Sequence, residues 1–161
     1  MFRLEIQVIS MKKKLKIAGL VALAALIIIQ FFPIDTTNPV SDPSQDIFAN
    51  YEAEDALVIK VKEACYDCHS NNTEYPWYTR LQPVGWWLKG HVNEGRKHLN
   101  FSEFANYSEK KAKHKFEEAV EYTEKGWMPI SSFKVTHPEA RLTDLERSAM
   151  VDWFKEQYEK I

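Results

Sequence analysis

Hydrophobic positions along the chain fall into two regimes. From Leu15 to Phe32 they run on almost without a break, interrupted only by Lys16, Gly19 and Gln30. With no polar face, such a run suits lipid, and it sits near the lower limit of about 17 residues for a spanning helix. Residues 33–45 then collect Pro33, Pro39 and Pro43 with Asp, Asn, Ser and Thr, a linker composition. Beyond the linker, apolar residues recur at helical spacing and show no convincing strand alternation. Four helices are expected: from about Glu52 to Ala64, from about Val84 to His98, from near Ser108 to a stop at Gly126, and from Thr143 onward. The third should face inward through Ala112, Phe116, Ala119, Val120 and Thr123. The fourth opens on Thr143-Asp-Leu-Glu146, a capping box in which threonine and glutamate each satisfy a free backbone N–H. Its expected apolar face is Leu142, Leu145, Ala149 and Trp153. The pattern predicts an all-α domain over 46–161 behind an N-terminal apolar helix.

Charge sharpens the reading of the first segment. Lys12-Lys13-Lys14 precedes the apolar run, the order of a signal or anchor sequence. No small-x-small cleavage site follows, because Phe31-Phe32-Pro33-Ile34 is bulky, so an uncleaved anchor over 15–32 is favoured over a cleaved signal. The positive-inside rule keeps the basic start, residues 1–14, in the cytoplasm. Met11-Lys-Lys-Lys is an ordinary beginning for such a segment, which makes Met11 a candidate initiator. The overall charge of −2 conceals +4 over residues 1–34 and −6 over the rest. An acidic body argues against a nucleic-acid partner, which needs a basic face. At 161 residues the chain holds one domain beside its anchor.

The two cysteines are too few for a disulfide scaffold. They stand in Cys65-Tyr-Asp-Cys68-His69, and C-x-x-C-H is the attachment pattern of c-type haem. Two thiols three residues apart on a helical turn can each reach a vinyl group on neighbouring porphyrin edges. The adjacent imidazole of His69 then meets the iron. A zinc site would need a fourth ligand from elsewhere. A thioredoxin-like redox pair would expect a βαβ setting that the helical pattern denies.

For the second iron ligand, Met128 leads. Trp127-Met128-Pro129 falls in the loop after Gly126, and His/Met ligation raises a haem's reduction potential. His91 is the alternative, since it shares a helix face with Val84, Trp87 and His98. His98 follows Arg96-Lys97 and His114 lies among lysines, both surface settings. His137 precedes Pro138, as a loop-fixing residue would.

Several blocks carry a resemblance: Cys65-Tyr-Asp-Cys-His-Ser, Tyr75-Pro-Trp-Tyr, Pro83-Val-Gly-Trp-Trp, Asn93-Glu-Gly-Arg, Leu99-Asn-Phe-Ser-Glu103, Met128-Pro and His137-Pro-Glu-Ala-Arg-Leu142. Together, over about 46 to 158, they resemble the bacterial haem-binding domain family related to cytochrome c. Ile130-Ser131 departs mildly, where members often carry a second proline. The resemblance implies a cytochrome c-like helical fold, one covalent haem c and a distal Met-Pro loop. It further implies a proline carbonyl accepting the N–H of His69, with Pro83 matching in spacing and Pro76 the alternative. The aromatic block Tyr75, Trp77, Tyr78, Trp86 and Trp87 would then wall the haem or its propionates, and Arg96 would pair with a propionate.

The combined expectation is an electron carrier, not an enzyme, exchanging electrons with redox partner proteins. It would be held by a single pass in the bacterial inner membrane with its C-terminal domain in the periplasm; secretion to the periplasm after cleavage is the alternative. A haem-based sensor or enzyme with an open distal site, or a non-haem metal or redox module on the Cys pair, are the competing functions.

Overall fold

The computed structural model describes the backbone from residue 2 and the side chains from Met11 onward. The expected basic start therefore falls partly outside the described side chains, with Arg3 and Glu5. Every regular element among the described residues is helical. Helix α1 is Phe2–Ile29, and α2 is the single turn Ile47–Asn50. Asp55–Val61 continues through a wider turn, Lys62–Tyr66, into Asp67–His69; the three run on unbroken and form α3. Helix α4 is Val84–His98, with the bounds the periodicity predicts. Helices α5, α6 and α7 are Glu109–Glu124, Ser131–Thr136 and Asp144–Lys160.

The chain forms two compact units. The first joins residues 1–35 to 76–89, and the second joins 36–75 to 90–161. In the first unit, α1 ends at Ile29 and Gln30, Phe31 and Phe32 form a turn. Lys12, Lys13, Lys14 and Lys16 are among the first of its described side chains. The uninterrupted apolar helix, 17–29, is therefore about 20 Å long, against a hydrocarbon core of about 30 Å. No helix among the described residues is long and apolar enough to cross a membrane, so the expected span over 15–32 finds no support in a helix of that length. The Gln30 side chain pairs with the Gln82 backbone in both directions: Nε2 donates to Gln82 O at 2.9 Å, and Oε1 accepts from Gln82 N at 2.9 Å.

The second unit is built on α5 and α7, its most extensive helix pair. Ser108 caps α5 and Ala112, Phe116 and Thr123 are buried along it, as the spacing predicts. Gly126, with φ +70, ends the helix in the left-handed conformation that glycine adopts without penalty. Thr143 and Glu146 form the predicted capping box at the start of α7. The buried face of α7 differs from the expected one. Met150, Trp153, Phe154 and Gln157 point inward with Val151, while Leu145 is 81% exposed and Ala149 is also outside. Both sets follow helical spacing through Trp153. The aromatic cluster on α5 selects between them: Phe116 packs on Phe154 at 6.3 Å and on Phe104 at 4.9 Å between ring centroids.

Residues 36–42, expected as linker, are pinned to the second unit. Asn38 Nδ2 donates to Thr73 O at 2.9 Å, and Val40 O accepts from Asn71 Nδ2 at 3.2 Å. Trp153 Nε1 donates to Glu52 O at 2.9 Å, joining this early segment to the last helix.

Candidate functional site

Helical spacing places Cys65, Cys68 and His69 on one face of α3, at offsets of three and four residues. Between them, the two residues that the C-x-x-C-H pattern leaves open are anchors. Tyr66 is buried, stacks on Phe101 at 5.4 Å, and its hydroxyl donates to Asp46 Oδ1 at 2.9 Å. Asp46 also caps α2, so one carboxylate ties the motif to the neighbouring turn. Asp67 O accepts from Thr73 Oγ1 at 2.7 Å and its carboxylate accepts from Glu74 N at 2.9 Å. The wide turn over Lys62–Tyr66 lies just where Cys65 stands, and such turns are frequent at functional sites.

Helix α4 presses against the motif at Gly95. A Cβ there would collide with the carbonyl oxygen of Cys68 and lie 2.9 Å from its carbonyl carbon. The close approach puts two α4 carbonyls beside His69. Its Nδ1 lies 3.0 Å from Gly95 O and 3.1 Å from Leu99 O. Both partners only accept, so Nδ1 carries the proton and Nε2 keeps its lone pair. Burial lowers the His69 pKa, the two carbonyl bonds opposing it, and the ring is neutral at pH 7. Such an outer hydrogen bond fixes the orientation of a metal-binding imidazole. The expected proline carbonyl is not the one used: Pro83 O accepts from Trp87 N at 3.1 Å, and Pro76 O accepts from Thr79 N at 3.0 Å.

A cavity of ≈ 350 Å³ opens on this face, within the size range of small-ligand sites, about 300–1,000 Å³. Cys65, Cys68 and His69 line it from α3, and His91 and Gly95 from α4. Ala119, Tyr122 and Thr123 line it from α5, and the loop supplies Met128, Pro129 and Ile130. Phe101, Phe133 and Phe154 add apolar surface. Glu94, His98, Lys115 and Glu118 supply its charged and polar lining. There Lys115 Nζ pairs with Glu118 Oε2 at 2.6 Å. Cys65 and Cys68 are not disulfide-bonded to each other. Burial, reinforced by Cys68, pushes the Cys65 thiol up to about 12. Burial and the Asp67 charge push Cys68 up to about 11, against the pull of Arg96.

Met128 reaches the cavity because its loop is held at both ends. Its N–H donates to Tyr122 O at 3.1 Å, and Arg147 Nη1 donates to Thr123 O at 2.6 Å and Met128 O at 3.3 Å. The structure thus brings Cys65, Cys68, His69, Met128 and the alternative His91 to one cavity. Trp77, Tyr78, Pro83 and Trp87 belong to the first unit. Arg96 is engaged behind the motif, where it donates to Ser70 O, Asn38 Oδ1 and Thr73 Oγ1, each at 2.7 Å. These three bonds hold the turn after His69. His98 and His114 are exposed beside glutamates, and His137 Nδ1 lies 3.2 Å from Phe133 O, a loop contact.

Sequence reasoning missed the layer under the motif. Asn71 N donates to Ser102 Oγ at 3.1 Å, Asn71 Nδ2 to Glu103 Oε1 at 3.1 Å, and Asn100 Nδ2 to Asn71 Oδ1 at 2.8 Å. The block Leu99-Asn-Phe-Ser-Glu103 was the available signal; it supplies three of these partners and the carbonyl on His69.

Two expected results follow from this geometry. Gly95→Ala forces α4 off the Cys68 backbone, a strain of about 1–3 kcal/mol. Lower thermal stability and a lower haem-to-protein ratio after purification check it; an unchanged ratio would show that the close approach is dispensable. Arg147→Ala frees the Met128 carbonyl while leaving His69 untouched. If Met128 is an iron ligand, its absorption in the oxidised protein should then weaken without loss of haem.

The donor set fits a haem: two thiols three residues apart, an imidazole whose Nδ1 is hydrogen-bonded and whose Nε2 is open, a thioether, and aromatic and aliphatic walls. A family model, described as a haem-binding domain, matches residues 24–156. Comparison with curated proteins and with solved structures gives no match to either. With the model covering most of the chain, the chain belongs to the haem-binding domain family.

Proposed function

We propose that this protein is a c-type cytochrome domain that carries electrons outside the cytoplasmic membrane. Cys65 and Cys68 would hold one haem covalently, with His69 Nε2 and the Met128 sulfur as its axial ligands. The observation that supports this most is the convergence of those four side chains on one largely apolar cavity, with His69 Nδ1 already committed to two carbonyls. Bound there, haem would supply a one-electron couple. The chain's own part is to orient the imidazole, to exclude water with Phe101, Phe133 and Phe154, and to keep the Met128 loop tied by Arg147. Among the described residues Lys115 is the one lysine or arginine lining the cavity, and it could answer a propionate by leaving Glu118. With both axial positions filled by protein, no site remains for substrate, which favours carriage over catalysis. Redox proteins are then the partners.

The competing functions have less support. Redox-active cysteine pairs need a lowered pKa, and these thiols are raised. No group of three or more His, Cys, Asp and Glu among the described residues could hold a metal ion. An open distal position, as a sensor or enzyme has, would require Met128 and His91 both to stay off the iron. The decisive test is an optical and pyridine haemochrome spectrum of protein made with a haem-maturation system. Covalently retained haem with a six-coordinate low-spin spectrum is expected, and protein without haem would overturn the reading.

We further propose that the apolar run 15–32 tethers the domain to the membrane, lysines on the cytoplasmic side and domain in the periplasm. In its favour, Leu15, Leu20, Val21, Ile27 and Ile28 are all more than half exposed, on every side of α1. A helix apolar all round belongs in a core or in lipid, and no core covers this one. Cell fractionation should leave the protein with the membrane pellet after an alkaline wash; recovery in the soluble periplasm would show a cleaved signal instead.

A further inference from the structure

Exposed tryptophans gather in the first unit, together with the end of the apolar helix. Within the first unit, the segment 76–89 carries Trp77, 74% exposed, Trp87, 52%, and Trp86, 42%, together with Leu81 and Val84. Phe31 and Phe32, the last apolar residues of the run, are exposed as well. The two pieces are joined by polar bonds. Trp86 Nε1 donates to Phe32 O at 2.8 Å, and Gln30 and Gln82 pair in both directions.

These bonds complete the polar accounting at the helix end. A helix leaves its last four carbonyls without partners in the helix. Here Leu26 O accepts from Gln30 Nε2 at 2.8 Å. Ile27 O, Ile28 O and Ile29 O accept from the N–H groups of Gln30, Phe31 and Phe32. Beyond them, Phe32 O takes the Trp86 indole. A helix end in water could leave such groups to solvent; one near hydrocarbon must satisfy them internally. Gly85 permits the fold of this segment, since a Cβ there would collide with Thr79 O.

We propose that 76–89 is a second lipid-contacting element: a collar whose tryptophans lie at the headgroup level of a phospholipid bilayer, around the outer end of the inserted helix. Tryptophan concentrates at that level because its ring is apolar and its N–H is polar. Arg80 and Lys89 flank the tryptophans in the same segment, suited to anionic headgroups. The collar also lengthens a short apolar helix with interfacial anchors, a known accommodation of hydrophobic mismatch. The inference rests on the membrane reading above.

The test uses full-length holoprotein in vesicles of phosphatidylethanolamine and phosphatidylglycerol. A fraction of the lipid carries a photoactivated diazirine near the glycerol level, and adducts are mapped by peptide mass spectrometry. Adducts are expected both in 15–32 and in 76–89. Adducts confined to 15–32 would overturn the collar and leave the anchor standing. Adducts in neither would overturn both. A Trp77→Ser, Trp87→Ser double variant keeps Trp86 and its bond to Phe32. It should lose adducts over 76–89 severalfold while the haem spectrum stays that of the wild type. A changed haem spectrum would return these rings to the haem wall and sink the collar.

Discussion

Replacing Cys65 and Cys68 together by alanine should abolish covalent haem attachment. Each thiol would add its S–H across a vinyl double bond, the sulfur bonding one carbon and the hydrogen the other; alanine has nothing to add. The two side chains lie on one face of α3 and both line the cavity. Haem staining after denaturing electrophoresis should show no band from the double variant, and a weaker band from each single variant with one remaining thioether. The cavity, His69 and Met128 survive the substitutions. Haem should thus be retained under native conditions, more weakly, and released by denaturant. A band that persisted in the double variant would mean attachment elsewhere or none of this kind, and the c-type reading would fail.

The second large effect is expected at Met128. Oxidised wild-type protein should show a weak sulfur-to-iron absorption at the red edge of the visible spectrum. Met128→Ala should remove it and open the distal position, so that the reduced variant binds carbon monoxide. The reduction potential should fall, because a thioether favours the ferrous state. A methionine that merely filled the core would behave differently: its loss would cost about 2–5 kcal/mol and leave the spectrum alone. His91 lines the same cavity, so the matched variant is His91→Ala. If the wild type shows no such band, or if only His91→Ala changes the axial ligation, His91 is the ligand and the haem is a low-potential bis-histidine one.

The layer behind the ligands explains why both variants leave the pocket in place. His69 is oriented by carbonyls of α4, and Arg96 holds the turn after it through Ser70, Asn38 and Thr73. Met128 is held through its backbone by Tyr122 and Arg147. Neither support passes through the side chains being removed.

What the sequence alone determined is local chemistry. Cys65, Cys68 and His69 share a helix face because offsets of three and four always do. The bounds of α4, the glycine that ends α5 and the capping box at Thr143 are short-range backbone effects, complete within a few residues. Those features needed no knowledge of the rest of the chain. Tertiary structure decided the others. The partner of the His69 N–H is a main-chain carbonyl 26 residues on, a group every residue carries, so no residue type could announce it. The inward face of α7 could pass through Leu145 or through Phe154 by spacing alone, and only packing on Phe116 chose Phe154. The oxygens that Arg96 binds come from Asn38 and Thr73, 58 and 23 residues away, which its local sequence does not announce. A run of tryptophans suits a flat cofactor and a lipid interface equally well, since both want a broad apolar ring with one polar edge. Bonds from Gln82 and Trp86 to the end of α1, more than fifty residues earlier, placed that run beside the apolar helix.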